Sequence, residues 1–384
     1  MKFIGLVLKS ARRSKRRSAL TVLSVAIAVF LFASLQAVLD GFDAVAEASS
    51  STRVVTIRST SMIFNMPLTH AEAIRATAGV EGVTYANWFG GIYKDPKNFF
   101  GQFAVDPESY LQMYPEVIVT PEDKKAFLED RTGCLVGDGL AKRFDWHIGD
   151  RIVLQPGIPY YGSQDYPFTI RGIDKAGSSA VDNQSMLFQW KYLDERSLQK
   201  GQIGWIVTQV GDPDHAAQLS LDIDQKFANS PYETKTDTEK AFSASFGKML
   251  GNLNVLLGSV ALAVVITTLF VAGNTMAMSV RERTTEIAVM RTLGFPSGTI
   301  FALVVGEGLV VAVLGGAIGA AIARLTINGE FLQLAGGFIP AFGVTNWNVV
   351  VGLGLSALMG VLAALLPAIA ASLLRVVDAL RRVA

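Results

Sequence analysis

The chain of 384 residues contains one cysteine, three histidines and only 17% charged residues. Each scarcity removes a class of function. A single thiol, Cys134, cannot close an intrachain disulfide, so cysteine usage says nothing about the compartment. His70, His147 and His215 are dispersed, no pair has metal-ligand spacing, and no metal site is expected. Ser, His and Asp occur only as scattered residues without a nucleophile-elbow motif, so no catalytic residue is assigned. A phosphate loop is missing too. At residues 246–249 (FGKM) a Lys follows a Gly, but neither the earlier Gly nor the following Ser or Thr is there, and the chain is not expected to hydrolyse ATP alone.

Charge is absent above all from residues 19–39, 249–280, 292–323 apart from Glu307, and 331–374. Each stretch exceeds the roughly 20 residues that cross a bilayer. With half the residues hydrophobic and a mean hydropathy of +0.36, a membrane protein is expected. The first stretch competes with a cleaved signal peptide, since basic residues precede it. Its 21 uncharged residues outrun a signal core of about 7–15, which favours a retained anchor.

Orientation follows from where the bases fall. Residues 1–18 carry seven bases and no acid; Arg281, Arg283 and Arg291 lie between spans two and three; Arg375, Arg381 and Arg382 follow span four; and Arg324 stands alone between spans three and four. The positive-inside bias then puts both termini and the central connector in the cytoplasm of a multi-pass inner-membrane protein. Residues 40–248 are left outside. They hold 28 acids and 20 bases, a net charge of −8 inside a chain of net +1. An acidic exterior argues against nucleic acid as a partner.

The 44 uncharged residues at 331–374 are too many for one crossing, and Gly336, Gly337, Pro340 and Gly343 interrupt them. The expected organisation is therefore a basic N-terminus (1–18), span one (19–39), an exterior domain (40–248), span two (249–280), a connector (281–298), span three (299–323), an outer shoulder and loop (324–346), span four (347–373) and a tail (374–384), with Pro367 as a kink. The fold class is an α-helical four-span bundle with a mixed α+β domain inserted between spans one and two. In that domain, residues 53–58, 134–136, 151–154, 168–173 and 205–210 read as strands, and 69–78, 120–130 and 214–227 as helices. Thr69/Glu72 and Thr120/Asp123 have capping-box spacing. Residues 46–51, Ala-Ser rich, read as a link to the first strand. The domain is long enough for two lobes. Asp212 to His215 (DPDH) reads as a polar turn capping the next helix, with cation chelation as the rarer alternative. Trp88, Phe89, Tyr160 and Tyr161 are open between core, interface and adaptor contacts.

Residues 281–295, RERTTEIAVMRTLGF, have an apolar stripe at Ile287, Met290 and Leu293 or Gly294 beside a charged flank, Arg283 and Glu286 being three apart. Gly294 followed by Pro296 is a helix stop. A solvated turn and an amphipathic helix laid in a partner's groove fit this pattern equally.

The same run resembles the coupling segment of ABC transporter permeases of the MacB and FtsX type, in which a helix between spans two and three docks on a cytoplasmic ATPase. Residues 12–29 (RRSKRRSALTVLSVAIAV), 135–154 (LVGDGLAKRFDWHIGDRIVL), 306–320 (GEGLVVAVLGGAIGA) and 367–381 (PAIAASLLRVVDALR) are similar to other parts of that family in the same order. The resemblance implies ATPase contacts at Arg281, Glu282, Arg283, Glu286, Ile287, Met290, Arg291, Leu293 and Gly294, with Met290 and Leu293 as apolar anchors and the arginines pairing with acids at the rim. MacB carries its ATPase on the same chain; this chain departs from it, so two copies of a separate ATPase, which would bind the ATP and Mg, are implied.

Four further residues stand out within the spans. Glu307 is ionisable in hydrocarbon, which suggests proton or ion transfer, yet no second ionisable group lies in any span. A structural role, bonding across helices, is the favoured reading. Gly315 and Gly319 form a small-residue face that suits a dimer contact or an intramolecular one equally. Because the family pairs its second spans, Asn274 falls either in that seam or within one subunit.

The resemblance thus implies a non-catalytic permease subunit, paired with a second one as homodimer or LolC/LolE-like heterodimer. It would couple ATP hydrolysis to movement of the exterior domain, exporting or extracting a lipid-linked or periplasmic substrate, with membrane lipid and a periplasmic adaptor as further partners. FtsX-like signalling to cell-wall hydrolases, or an anchored exterior enzyme or sensor without an ATPase, are the alternatives.

Overall fold

The computed structural model describes residues 15–176, 183–249, 253–327 and 343–374. The basic N-terminus up to residue 14, the apolar shoulder at 328–342 and the tail from 375 lie outside the described residues. The chain divides into two compact units, one built on the apolar helices and the other on the residues between the first and second of them.

Among the described residues, four helical stretches are long and apolar enough to cross a membrane: Ser18–Gly41, Val255–Glu282, Ser297–Thr326 and Asn346–Ser372. Their interfaces use glycine as a gap for a neighbour's backbone. A Cβ on Gly319 would clash with the Ala26 carbonyl oxygen in the first span, and one on Gly315 would come within 2.7 Å of that of Val22. Gly308 and Gly360 do the same between spans three and four, each Cβ position lying 2.7–2.8 Å from the other's carbonyl oxygen. Such approach maximises dispersion contact where lipid offers no hydrophobic drive. Span four starts at a Thr345 cap, whose hydroxyl accepts from the Asn348 amide at 3.2 Å, and continues helical through Pro367.

The first helix runs Lys15–Ala48, roughly 50 Å at 1.5 Å per residue. That exceeds a hydrocarbon thickness of about 30 Å. The Ala-Ser run is thus not a link throughout: it is helical to Ala48, and only residues 49–52 join it to the first strand. Met249, expected to open span two, instead closes the helix Glu239–Met249, and the membrane-length helix spans Leu253–Glu282.

The inserted unit has these strands among the described residues: β1 (Arg53–Arg58), β2 (Met66–Pro67), β3 (Val80–Trp88), β4 (Gly101–Val105), β5 (Val117–Ile118) and β6 (Gly133–Gly137). β7 (Arg151–Leu154), β8 (Tyr166–Ala176), β9 (Ser185–Gln189), β10 (Gln202–Ile203), β11 (Trp205–Val210) and β12 (Thr234–Thr238) complete them. One sheet has the order β12-β1-β11-β3-β4-β9-β6-β8-β5, with β7 on β8, while β2 and β10 form a separate ribbon. Pairing is parallel at β4–β9 and β6–β8. A single sheet runs through the described residues of the unit. β6 (GCLVG) and β9 (SMLFQ) are buried at every position, as strands covered on both faces must be, whereas β7 alternates exposed and buried. Phe89, Tyr166, Phe168 and Phe188 fill the core edge to face, with ring centroids 4.8–5.5 Å apart.

Local signals hold unevenly. Thr120 caps the helix Pro121–Glu129 by accepting from the Asp123 amide at 3.1 Å. Thr69 caps nothing: the helix Thr69–Arg75 has Leu68 at its N-cap in a helical conformation. Residues 214–227 form a 3-10 turn, Pro213–His215, then the helix Ala216–Phe227 with Leu219, Ile223 and Phe227 buried. β2, β3, β4, β5, β9, β10 and β12 have no counterpart among the strands expected from sequence.

Candidate functional site

The helix of span two continues through Arg281 and Glu282 and breaks at Arg283, where φ −106° and ψ 16° leave the helical region. A nine-residue helix, Thr284–Thr292, leads from there towards Ser297, where span three begins. Residues 281–294 are therefore not one helix; Arg281 and Glu282 extend span two. The short helix ends as its Gly-Pro signal requires. Gly294 takes φ +91°, its amide donates to the Arg291 carbonyl, and the Phe295 amide donates to the Met290 carbonyl, the paired bonds of a Schellman stop.

One face of this connector helix is fastened to its own chain. Ile287 is buried against Ile300 of span three and Ala371 of span four, and Met290 is partly buried beside them. Arg283 Nη1 donates to Glu307 Oε2 at 2.7 Å, and its Nε lies 3.5 Å from Glu286 Oε2. Arg291 donates to the Leu374 carbonyl oxygen and, at 3.0 Å, to Ser297 Oγ. The other face is open. Thr285, Val289, Thr292 and Leu293 are exposed, Val289 by 47% and Leu293 by 73%, together with Arg281, Glu282 and Gly294. Sequence reasoning missed Thr285 and Val289, although their spacing of four residues to each other and to Leu293 marks a face opposite Ile287.

Glu307 is only 8% exposed, and the charge that sequence reasoning failed to find for it is Arg283, which lies outside the uncharged stretches and 24 residues away. Gly315 and Gly319 are occupied by the chain's own first span, which is the intramolecular one of the two readings. Asn274 is exposed on span two, the least covered of the four.

The polar and aromatic residues singled out in the inserted unit take structural places. Phe89 and Tyr161 are core, the Tyr161 hydroxyl donating to the Trp88 carbonyl at 2.9 Å. His70 stacks on Phe227 with centroids 4.1 Å apart, and burial lowers its pKa against a weaker upward pull from the Tyr232 carbonyl. His147 and His215 sit on exposed turns beside Asp150 and Asp212. Asp212 accepts from the Asp214 amide at 3.0 Å, a polar turn. Among the described residues no three His, Cys, Asp or Glu are grouped to hold a metal ion.

An inserted mixed domain, four apolar helices and a short helix with one buried and one exposed face are the arrangement of a permease-type membrane subunit. Residues 18–226 match the MacB-like periplasmic core domain, and residues 258–374 match the FtsX-like permease C-terminal domain. The chain belongs to the MacB/FtsX family of ABC transporter permeases. It is 24% identical to the uncharacterized ABC transporter permease MJ1507 of Methanocaldococcus jannaschii, over 98% of this chain and 97% of that one. To the macrolide export ATP-binding/permease protein MacB of Shewanella oneidensis it is 28% identical, over 73% of this chain and 40% of that one. The chain thus spans less than half the length of that MacB. The periplasmic region of MacB from Actinobacillus actinomycetemcomitans overlays 54% of this chain and 95% of its own at 9% identity, with a TM-score of 0.38; the family assignment rests on the sequence matches.

Proposed function

We propose that this permease couples ATP hydrolysis by a separate cytoplasmic ATPase to movement of the inserted domain, exporting or extracting a lipid-linked or extracytoplasmic substrate. The observation that carries the reading is the two-faced connector helix Thr284–Thr292. A solvated turn needs no inner face, yet this helix is held to spans three and four by Ile287, by the Arg283–Glu307 pair and by Arg291. A push on its outer face is therefore delivered to the spans rather than absorbed by a loop. The docking surface falls on Arg281, Glu282, Thr285, Val289 and Leu293, while Arg283, Glu286, Ile287, Met290 and Arg291 position the helix.

In this mechanism the arginine-rich connector lies in the cytoplasm with both termini, and the acidic inserted domain faces outward. Two ATPase copies, binding the ATP and Mg, serve two permease subunits whose second spans pair along the exposed face that bears Asn274. The first helix carries displacement outward by covalent continuity, since it remains helical to Ala48. An adaptor and membrane lipid are the expected exterior contacts.

The test is the double variant Val289→Asp/Leu293→Asp in the full chain. Burying two carboxylates in an apolar groove should lower ATPase co-purification and permease-dependent ATP turnover by about tenfold or more. Unchanged co-purification and turnover would refute the coupling reading.

A further inference from the structure

Arg53 opens β1, the first strand after the first helix, and it is only 3% exposed. Its Nε donates to Glu239 Oε2 at 2.8 Å, its Nη2 to Glu116 Oε1 at 3.0 Å, and its Nη1 to Glu116 Oε2 at 3.2 Å and the Met113 carbonyl at 2.9 Å. The Tyr114 ring lies 4.4 Å from the guanidinium. Glu239 in turn opens the helix Glu239–Met249 that leads towards span two, and it accepts from the Ser50 amide at 2.9 Å and the Tyr114 hydroxyl at 3.1 Å. Beside this cluster the hydroxyls of Ser49 and Ser243 are 3.0 Å apart. β1 and β12 are paired there, Val54 opposite Thr238.

A buried guanidinium held by two carboxylates contributes little stability over an apolar core of the same shape, but it specifies one arrangement of the segments it joins. Here those segments are the chain arriving from span one, the chain leaving for span two, and the end of the helix Pro107–Met113. Burial lowers the Arg53 pKa, but the hydrogen bond to Glu116 and the charge of Glu239 outweigh it, the net shift is upward, and the charge persists.

We propose that Arg53, Glu116 and Glu239 form a clasp that holds the two membrane connections of the inserted domain together throughout the transport cycle, so that displacement of either span reaches the sheet as one movement. Arg53 is then a positioning residue. The proposal rests on the ATP-coupled reading above and adds what must stay together for it.

The experiment uses the full-length permease with its co-purifying ATPase in lipid nanodiscs, reading ATP turnover and the nucleotide-dependent change in hydrogen exchange over Arg53–Arg58. In Ser49→Cys/Ser243→Cys the oxidised cross-link should leave both within about twofold of wild type, because segments that never part lose nothing by being joined. Arg53→Lys keeps the charge and loses the fork; turnover should persist while the exchange response falls about tenfold, the equivalent of one charge-assisted hydrogen bond. Glu239→Gln, expected to act in the same direction, replaces it if the lysine variant does not fold. A cross-link that abolishes the response overturns the clasp, as does wild-type response in a folded Arg53→Lys. If wild type itself shows no nucleotide-dependent exchange, the coupling reading falls first and takes the clasp with it.

Discussion

Glu307, inside a membrane-length helix, accepts a hydrogen bond from Arg283 at 2.7 Å. Replacing the carboxylate weakens this pair, so Glu307→Gln should cost about 1–3 kcal/mol of stability in detergent, read as a lower thermal midpoint. The exchanged pair Arg283→Glu/Glu307→Arg should recover part of it. His70 sets a pH dependence of known sign. Its folded pKa is lowered by burial, so the unfolded chain takes up the proton first. Its contribution is complete above about pH 6.5 and is lost as pH falls through and below that value. Denaturation of wild type between about pH 7 and 5 should show that loss, and His70→Phe, which keeps a ring on Phe227, should flatten it. The sequence showed that an acid sits in span three, but not its partner, because pairing across 24 residues depends on how the connector folds back.

The connector helix owes its end to local chemistry. Gly294 at φ +91° has no atom of the described residues within 4 Å of its Cβ position, so Gly294→Ala is penalised by backbone strain. A loss of about 1 kcal/mol is expected, with Gly294→Asn milder, measured as unfolding midpoints of the full chain. The helix stop at Gly294–Pro296 and the Thr120 cap were legible because each involves residues within one turn of each other. The break at Arg283 was not. Nothing in RERTTE bars helix, and in the bent form the chain adopts there Ile287 and Ala288 are buried and Arg283 meets Glu307. Tertiary contact likewise overrode Thr69, which lies inside its helix rather than capping it.

For the whole molecule, the proposed pairing of two permease subunits would use the exposed face of span two. Cys134 is fully buried and burial pushes its thiol pKa up, so an introduced cysteine reacts without competition. Asn274→Cys in native membranes should give a disulfide-linked dimer on mild oxidation; only monomer would place the seam elsewhere. By itself the sequence determined four apolar stretches, a long insertion after the first and an amphipathic connector with a defined stop, because hydropathy and turn chemistry are sums over near neighbours. Only the tertiary structure decided which connector face is bound, that Gly315 and Gly319 receive span one, that β3 and β4 join one continuous sheet, and that Arg53 meets Glu239. Each of these is a choice of partner among residues far apart in the chain, and burial and backbone approach make that choice after the elements have formed.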